Sequence, residues 1–199
     1  MPDPVIIVDY DPAWPAQFEG ERGRLAANLG SAFTIEHIGS TAVPGIAAKP
    51  VIDIMIVVDD DSLVDTSNEV EAVPGEHSPI EPAGNAAHVG FVKAVIACDF
   101  TYRGVNGLPG RLYFFRHADG RSAHVHVAHR DFWFVNDQRV FREWLCDHPE
   151  DAQAYEQLKR DLAQKYRDDR IAYTNAKGDF IRGILLQAGG VGPWLREGL

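Results

Sequence analysis

Glu36-His37-Ile38-Gly39-Ser40-Thr41-Ala42-Val43-Pro44-Gly45, followed by Ala48-Lys49-Pro50-Val51-Ile52-Asp53-Ile54, sets a strand, a Gly-Ser turn and a second strand in close succession. Phe33–Ile38 is aromatic and β-branched, which predicts the first strand. Val51–Val58 is apolar except for Asp53, and a continuous run of that kind predicts a central strand covered on both faces. Strand alternation points Asp53 and Met55 one way and Ile52, Ile54 and Ile56 the other. A Gly-Ser turn offers bare backbone N–H groups and a hydroxyl to phosphate oxygens. Asp53 lies thirteen residues past Ser40, and a carboxylate there can hold Mg2+ that bridges to the same phosphates. Gly-Ser alone is most simply a turn. A lone acid in an apolar strand is harder to dismiss, because a buried charge is costly unless it is paired or coordinates something.

Outward from this block the order is mixed. Val5–Val8 reads as a short strand. Asp11-Pro12 reads as a helix start, with Trp14, Phe18, Leu25 and Leu29 on one face and Gly30 as the stop. Beyond the central strand, Asn85–Cys98 reads as a helix and Phe100–Gly104 as a strand. Arg111–Arg116 and Ala123–His129 read as strands of a hairpin turned at Asp119-Gly120. Val140–Leu145 begins a helical region, and Pro149 opens a long helix to about Arg170 with Tyr155, Leu158, Leu162 and Tyr166 as its buried stripe. Asn175–Ala188 is the last helix, closed by Gly189-Gly190. The expected class is α+β, a mixed sheet flanked by helices with a helical C-terminal part, in one domain over residues 1–199.

The chain has 199 residues, 45% hydrophobic and 24% charged, the proportions of an ordinary folded domain. No apolar run approaches the ~20 residues a bilayer span needs, and the acidic start carries no basic-then-apolar leader. With Cys98 and Cys146 as isolated thiols, the expectation is reduced, buried cysteines and a cytoplasmic address. Asp59–Pro82 holds eight acids and no Lys or Arg, so it supplies −8 of the net −10. The rest is nearly neutral. Duplex nucleic acid is not an expected partner, since phosphate neutralisation needs a basic face, but local basic groups could hold a small anion. The acidic segment reads mostly as loop with one helical turn, and deleting Asp60–Glu76 is expected to leave the fold intact.

His124 and His126 share one face of their strand and could aim two imidazoles at one metal or phosphate; two solvated histidines are the plainer alternative. Both are expected to line a pocket at Asp53. Glu36 stands three residues before the Gly-Ser turn and could join Asp53 as a second carboxylate, or pair with Lys49 or a nearby Arg.

The block from Glu36 to Ile54 closely resembles the signature of the GrpB family. Tyr10-Asp11-Pro12-Ala13-Trp14-Pro15, Arg111-Leu112-Tyr113-Phe114, His124-Val125-His126-Val127, Phe141-Arg142, Tyr155-Glu156-Gln157-Leu158-Lys159 and Lys177-Gly178-Asp179-Phe180-Ile181 resemble its other blocks, in order along nearly the whole chain. The resemblance implies the nucleotidyltransferase fold of polymerase beta and the aminoglycoside nucleotidyltransferases, and a family that also occurs fused to dephospho-CoA kinase. It implies Gly39, Ser40, Thr41, Lys49, Arg111 and Lys177 as nucleotide or phosphate ligands. Asp53 and Glu36 become the catalytic carboxylates, and Asp53, Glu36, His124 and His126 the metal ligands. Arg142 and Lys159 also match, and read more safely as helix-pairing charges. Met55 stands where the wider superfamily has a second carboxylate, and the acidic stretch is unlike the family's shorter connection. Either Glu36 or the histidines substitute as ligands, or one metal serves, or the site only binds.

The expected function is a metal-dependent nucleotidyltransferase. It would move a nucleotidyl group from a nucleoside triphosphate to a small-molecule acceptor, or activate an acid with ATP, using Mg2+ or another divalent metal. The alternative is a nucleotide- or metal-binding domain without turnover. A cupin-like His-x-His metalloprotein fits the helical C-terminal third poorly, and a P-loop kinase lacks its Gly-Lys-Ser/Thr ending.

Overall fold

The structure is a computed structural model that describes residues 4–67 and 79–195; Glu69, Glu71 and Glu76 of the acidic stretch lie outside the described residues. Five strands form one mixed sheet: β1 (Thr34–Ile38), β2 (Val51–Val58), β3 (Thr101–Tyr102), β4 (Arg111–Ala118) and β5 (Arg121–His129), in the order β1-β2-β5-β4-β3. β2 and β5 are parallel, and the other neighbours are antiparallel. The β4–β5 turn is made by Asp119 and Gly120 at φ 54° and 70°, the two left-handed positions that a tight hairpin needs.

One face of the sheet presents Ile52, Ile54, Ile56, Leu112, Phe114, Val125 and Val127, all buried against α1 (Trp14–Leu29) and α2 (Ala86–Ile96) through Trp14, Phe18, Leu25, Phe91, Val92 and Val95. The opposite face carries Ile38, Met55, Val57 and Ala128, packed on Phe134 and Val135 of α3 (Trp133–Asp147). β2 is thus covered on both faces, as its apolar run requires. Helices α4 (Pro149–Lys165) and α6 (Gly178–Ala188) join α3 in a second core on the turn after β1, through Val43, Ile46, Leu145, Tyr155 and Ile184, while α5 (Arg170–Asn175) packs Tyr173 with Val5, Leu162 and Ala163. Asp53 and the histidine pair lie on the α3 face, between the sheet and this helical part.

Several boundaries differ from expectation, each for a local reason. Val5–Val8 is no strand: only Val8 pairs, with Ala48. α1 starts at Trp14 because the Asp11 carboxylate accepts from Ala13 N at 2.8 Å, turning the chain before the helix. α3 begins at Trp133, ahead of Val140, and the long helix stops at Lys165. Asp169 then caps α5 by accepting from Ala172 N at 2.9 Å, and that break turns Tyr173 inward, 1% exposed.

The described front of the acidic stretch is structured. Asp61–Val64 is a 3-10 turn capped by Asp60, with Leu63 and Val64 on the core and the Leu63 carbonyl accepting from His88 Nδ1 at 3.1 Å. Deleting from Asp60 onward would remove these contacts, so such a chain is expected to lose stability, measured by denaturant unfolding, rather than only loop length. Cys98 is buried as expected, but Cys146 is exposed.

Candidate functional site

A cavity of 420 Å³ opens where the turn after β1 meets β2 and helices α3 to α6. The turn contributes Gly39, Ser40 and Thr41, β2 contributes Asp53, and Lys49, Lys159 and Lys177 converge from three separate segments. Gly39 has φ +72°, and a Cβ on it would stand 2.6 Å from Asp53 Oδ2. Glycine is required here twice over, for the left-handed backbone and for the close approach that sets Oδ2 beside the turn.

The cavity is electrically lopsided. Lys49 and Lys177 have no ion pair or hydrogen bond to a protein acceptor among the described residues; their Nζ atoms lie 5.8 and 4.7 Å from the centre of the Tyr173 ring. Lys159 is 2% exposed and donates to the Ala47 carbonyl. Burial lowers all three pKa values, Lys177 to about 8 with Lys49 adding repulsion, and Lys159 to about 7 with Lys177 adding repulsion. The second acid on the wall, Asp137, is not a counter-charge to them. It accepts from Val191 N at 2.8 Å and Gly192 N at 3.1 Å and so ties α3 to the segment after α6.

Asp53 is held from behind. His124 Nδ1 lies 3.0 Å from Asp53 Oδ1 and His126 Nε2 lies 3.9 Å from the same oxygen. Strand register causes this: Asp53 is directly opposite His124 on the parallel neighbour, and Met55 is opposite His126. Burial works to raise the Asp53 pKa, but the imidazole N–H groups outweigh it and hold the carboxyl well below its usual range. Burial drives His126 down to about 4, with Arg111 adding to the effect, so this ring is neutral near pH 7. Asp53, His124 and His126 each bring one ligand atom within 4.8 Å of the others.

A family model described as GrpB protein matches residues 4–75 and 80–187. The chain belongs to the GrpB family. It is 34% identical to a UPF0157 protein of Pseudomonas aeruginosa over 94% of this chain and 68% of that protein. It is 32% identical to the glutamate-rich protein GrpB of Alkalihalophilus pseudofirmus over 91% of this chain and 94% of that one. Among solved structures it resembles a conserved GrpB protein from Enterococcus faecalis, with a TM-score of 0.72 and 31% identity over 92% of this chain and 96% of that chain.

Within this GrpB chain, the residues singled out from sequence fall into two groups. Gly39, Ser40, Thr41, Lys49, Asp53 and Lys177 share the cavity wall. Thr41 is there in body only: its hydroxyl donates to the Val51 carbonyl at 3.1 Å and meets His37 Nε2 at 3.0 Å, which pins the turn. The others stand apart. His124 and His126 touch Asp53 but are not among the cavity-lining residues. Glu36 is opposite Met55, two residue pairs along from Asp53, and its carboxylate is taken by a two-pronged contact from Arg139 on α3, with Arg142 at 3.8 Å. It is absent from the Asp53 cluster. Arg111 is also off the cavity wall, buried behind His126, with Nη2 donating to the Val105 and Asn106 carbonyls at 3.0 Å each. Sequence reading missed Lys159, Tyr155, Tyr173 and Trp133 as wall residues. Lys159 carried a usable signal, because it follows Tyr155 by four residues and so sits on the buried stripe of α4 rather than its wet face.

Proposed function

We propose that the cavity binds a nucleoside triphosphate and that this GrpB chain passes its nucleotidyl group to a small-molecule acceptor. The observation that carries this is a set of three half-buried to buried ammonium groups, two of them with no ion pair or hydrogen bond to a protein acceptor among the described residues, facing one carboxylate across a Gly-Ser turn. Buried charges of one sign need a partner, and a polyanion supplies it. Lys49, Lys159 and Lys177 would hold phosphate oxygens and neutralise charge as it builds on them during transfer. Trp133, Phe134, Phe141, Tyr155 and Tyr173 give the rest of the wall an aromatic surface suited to a base or other planar group.

The fit to a divalent ion is divided. Asp53 Oδ2, beside the turn, is a hard anionic oxygen that suits Mg2+ shared with phosphates. Such an ion would supply neutralising charge. Imidazole nitrogens are poor ligands for Mg2+, and Glu36 is spent on Arg139, so among the described residues no second carboxylate joins Asp53. Met55, 0% exposed, fills the place where a second carboxylate would stand. That residue favours a second reading, nucleotide binding without turnover.

A thermal-shift panel of nucleotides with and without Mg2+, paired with a pyrophosphate-release assay, separates these readings. A nucleoside triphosphate should raise the melting temperature more with Mg2+ than without it. Binding with pyrophosphate release in the presence of an acceptor supports transfer; binding without release under any acceptor supports the second reading. No stabilisation by any nucleotide would contradict both.

A further inference from the structure

We propose that Arg111 is a positioning residue that fixes the proton of His126 on Nε2, so that the Asp53–His124–His126 cluster is closed to transition metals. A carboxylate and two imidazoles within 4.8 Å resemble a metal site by composition. The hydrogen-bond directions say otherwise.

A guanidinium has five N–H donors and no acceptor. Arg111 Nη1 lies 3.0 Å from His126 Nδ1, so Nδ1 must present its lone pair. A ring with a bare Nδ1 carries its single proton on Nε2, the nitrogen turned toward Asp53 Oδ1 at 3.9 Å. An Nε2 that carries a proton has no lone pair for a metal. Arg111 cannot readily turn away. Its Nη2 is tied to two backbone carbonyls, and its guanidinium carbon lies 5.1 Å from the centre of the Tyr113 ring and 5.7 Å from that of Phe134. Metal-binding histidines show the reverse arrangement, donating their second N–H to a carboxylate or carbonyl. Here a fixed positive charge stands where that acceptor would be, which also repels a cation at the ring.

His124 faces the same carboxylate oxygen. At 3.0 Å from a carboxylate oxygen, its Nδ1 must donate. Both imidazoles therefore direct N–H groups at Asp53 Oδ1, and Oδ2 is left to the cavity.

Long-range proton–nitrogen NMR on the imidazoles of the wild-type chain tests it without any variant. His126 should show a bare Nδ1 and a protonated Nε2, and added Zn2+ should leave its signals in place. A proton found on Nδ1, or stoichiometric Zn2+ binding by the wild type that His126→Gln abolishes, would overturn the inference. Arg111→Met should free the tautomer and raise Zn2+ affinity at least tenfold. A folded Arg111→Met chain with unchanged tautomer and unchanged Zn2+ response would show that Arg111 does not set them. If that variant does not fold, the wild-type NMR result decides alone.

Discussion

Asp53→Asn is expected to abolish Mg2+-dependent nucleotide binding and to destabilise the ligand-free protein by roughly 2–4 kcal/mol. Asn nearly matches Asp in size, so packing survives. What disappears is the charge on an oxygen that His124 donates to at 3.0 Å, together with the negative field that partly offsets Lys49 and Lys177. An uncompensated buried Asp would behave in the opposite way and gain stability on neutralisation. The pH dependence distinguishes the cause. The Asp53 pKa is depressed in the folded state, so its contribution is present above the ordinary carboxyl range and is lost as the pH falls through and below it. Denaturant unfolding should show the Asn variant weaker than the parent near pH 7, with the gap closing in acid. A variant as stable as the parent at both pH values would show that the His124 contact carries no free energy.

Raising the pH from about 7 to about 9 should weaken nucleotide binding by roughly tenfold per pH unit for each ammonium that the bound anion keeps charged. Lys159 titrates at about 7 and Lys177 at about 8 in the empty cavity, both lowered chiefly by burial. A bound polyanion favours their charged forms, so binding takes up protons, and less so once the pH drops below their free values. The stability of the ligand-free chain should move the other way. Both groups have folded pKa values below their unfolded ones, so the unfolded chain binds more protons in this window and stability rises with pH. Opposite slopes for affinity and stability, measured by calorimetric titration and denaturant unfolding, are the expected signature. An affinity that does not change over this range would take the lysines out of the binding site.

Much of this was legible in the sequence because it depends on local pattern. The apolar run of β2, the glycine before Ser40 and the His-x-His spacing on β5 place Asp53, its turn and its two imidazoles without knowledge of tertiary structure. The unread parts depend on pairings between distant segments. Glu36 was open to either a metal or an arginine, and α3, which begins well before Val140, brings Arg139 onto it. Arg111 looked like a phosphate ligand by its type. Its strand register sets it opposite Ala128 on the α3 face, and the loop at Val105 and Asn106 then folds its carbonyls around the guanidinium. Lys159 reads from its type as a helix-pairing charge, although the stripe containing Tyr155 already places it inward. Charged side chains on buried faces repay attention because burial forces them to find a partner.

The central claim is that unpartnered lysines make this cavity a polyanion site. Calorimetric titration of a nucleoside triphosphate with Mg2+ into the wild type and into Lys177→Met tests it most directly. Removing an ammonium that makes no ion pair or hydrogen bond to a protein acceptor among the described residues should leave the fold intact, so a change in affinity reports on the ligand. One-site binding by the wild type, weakened about ten- to a hundredfold in Lys177→Met, is the predicted result, from the ~1.5–3 kcal/mol of a charge-assisted hydrogen bond. No binding by the wild type, or equal affinity in a folded Lys177→Met chain, would contradict it.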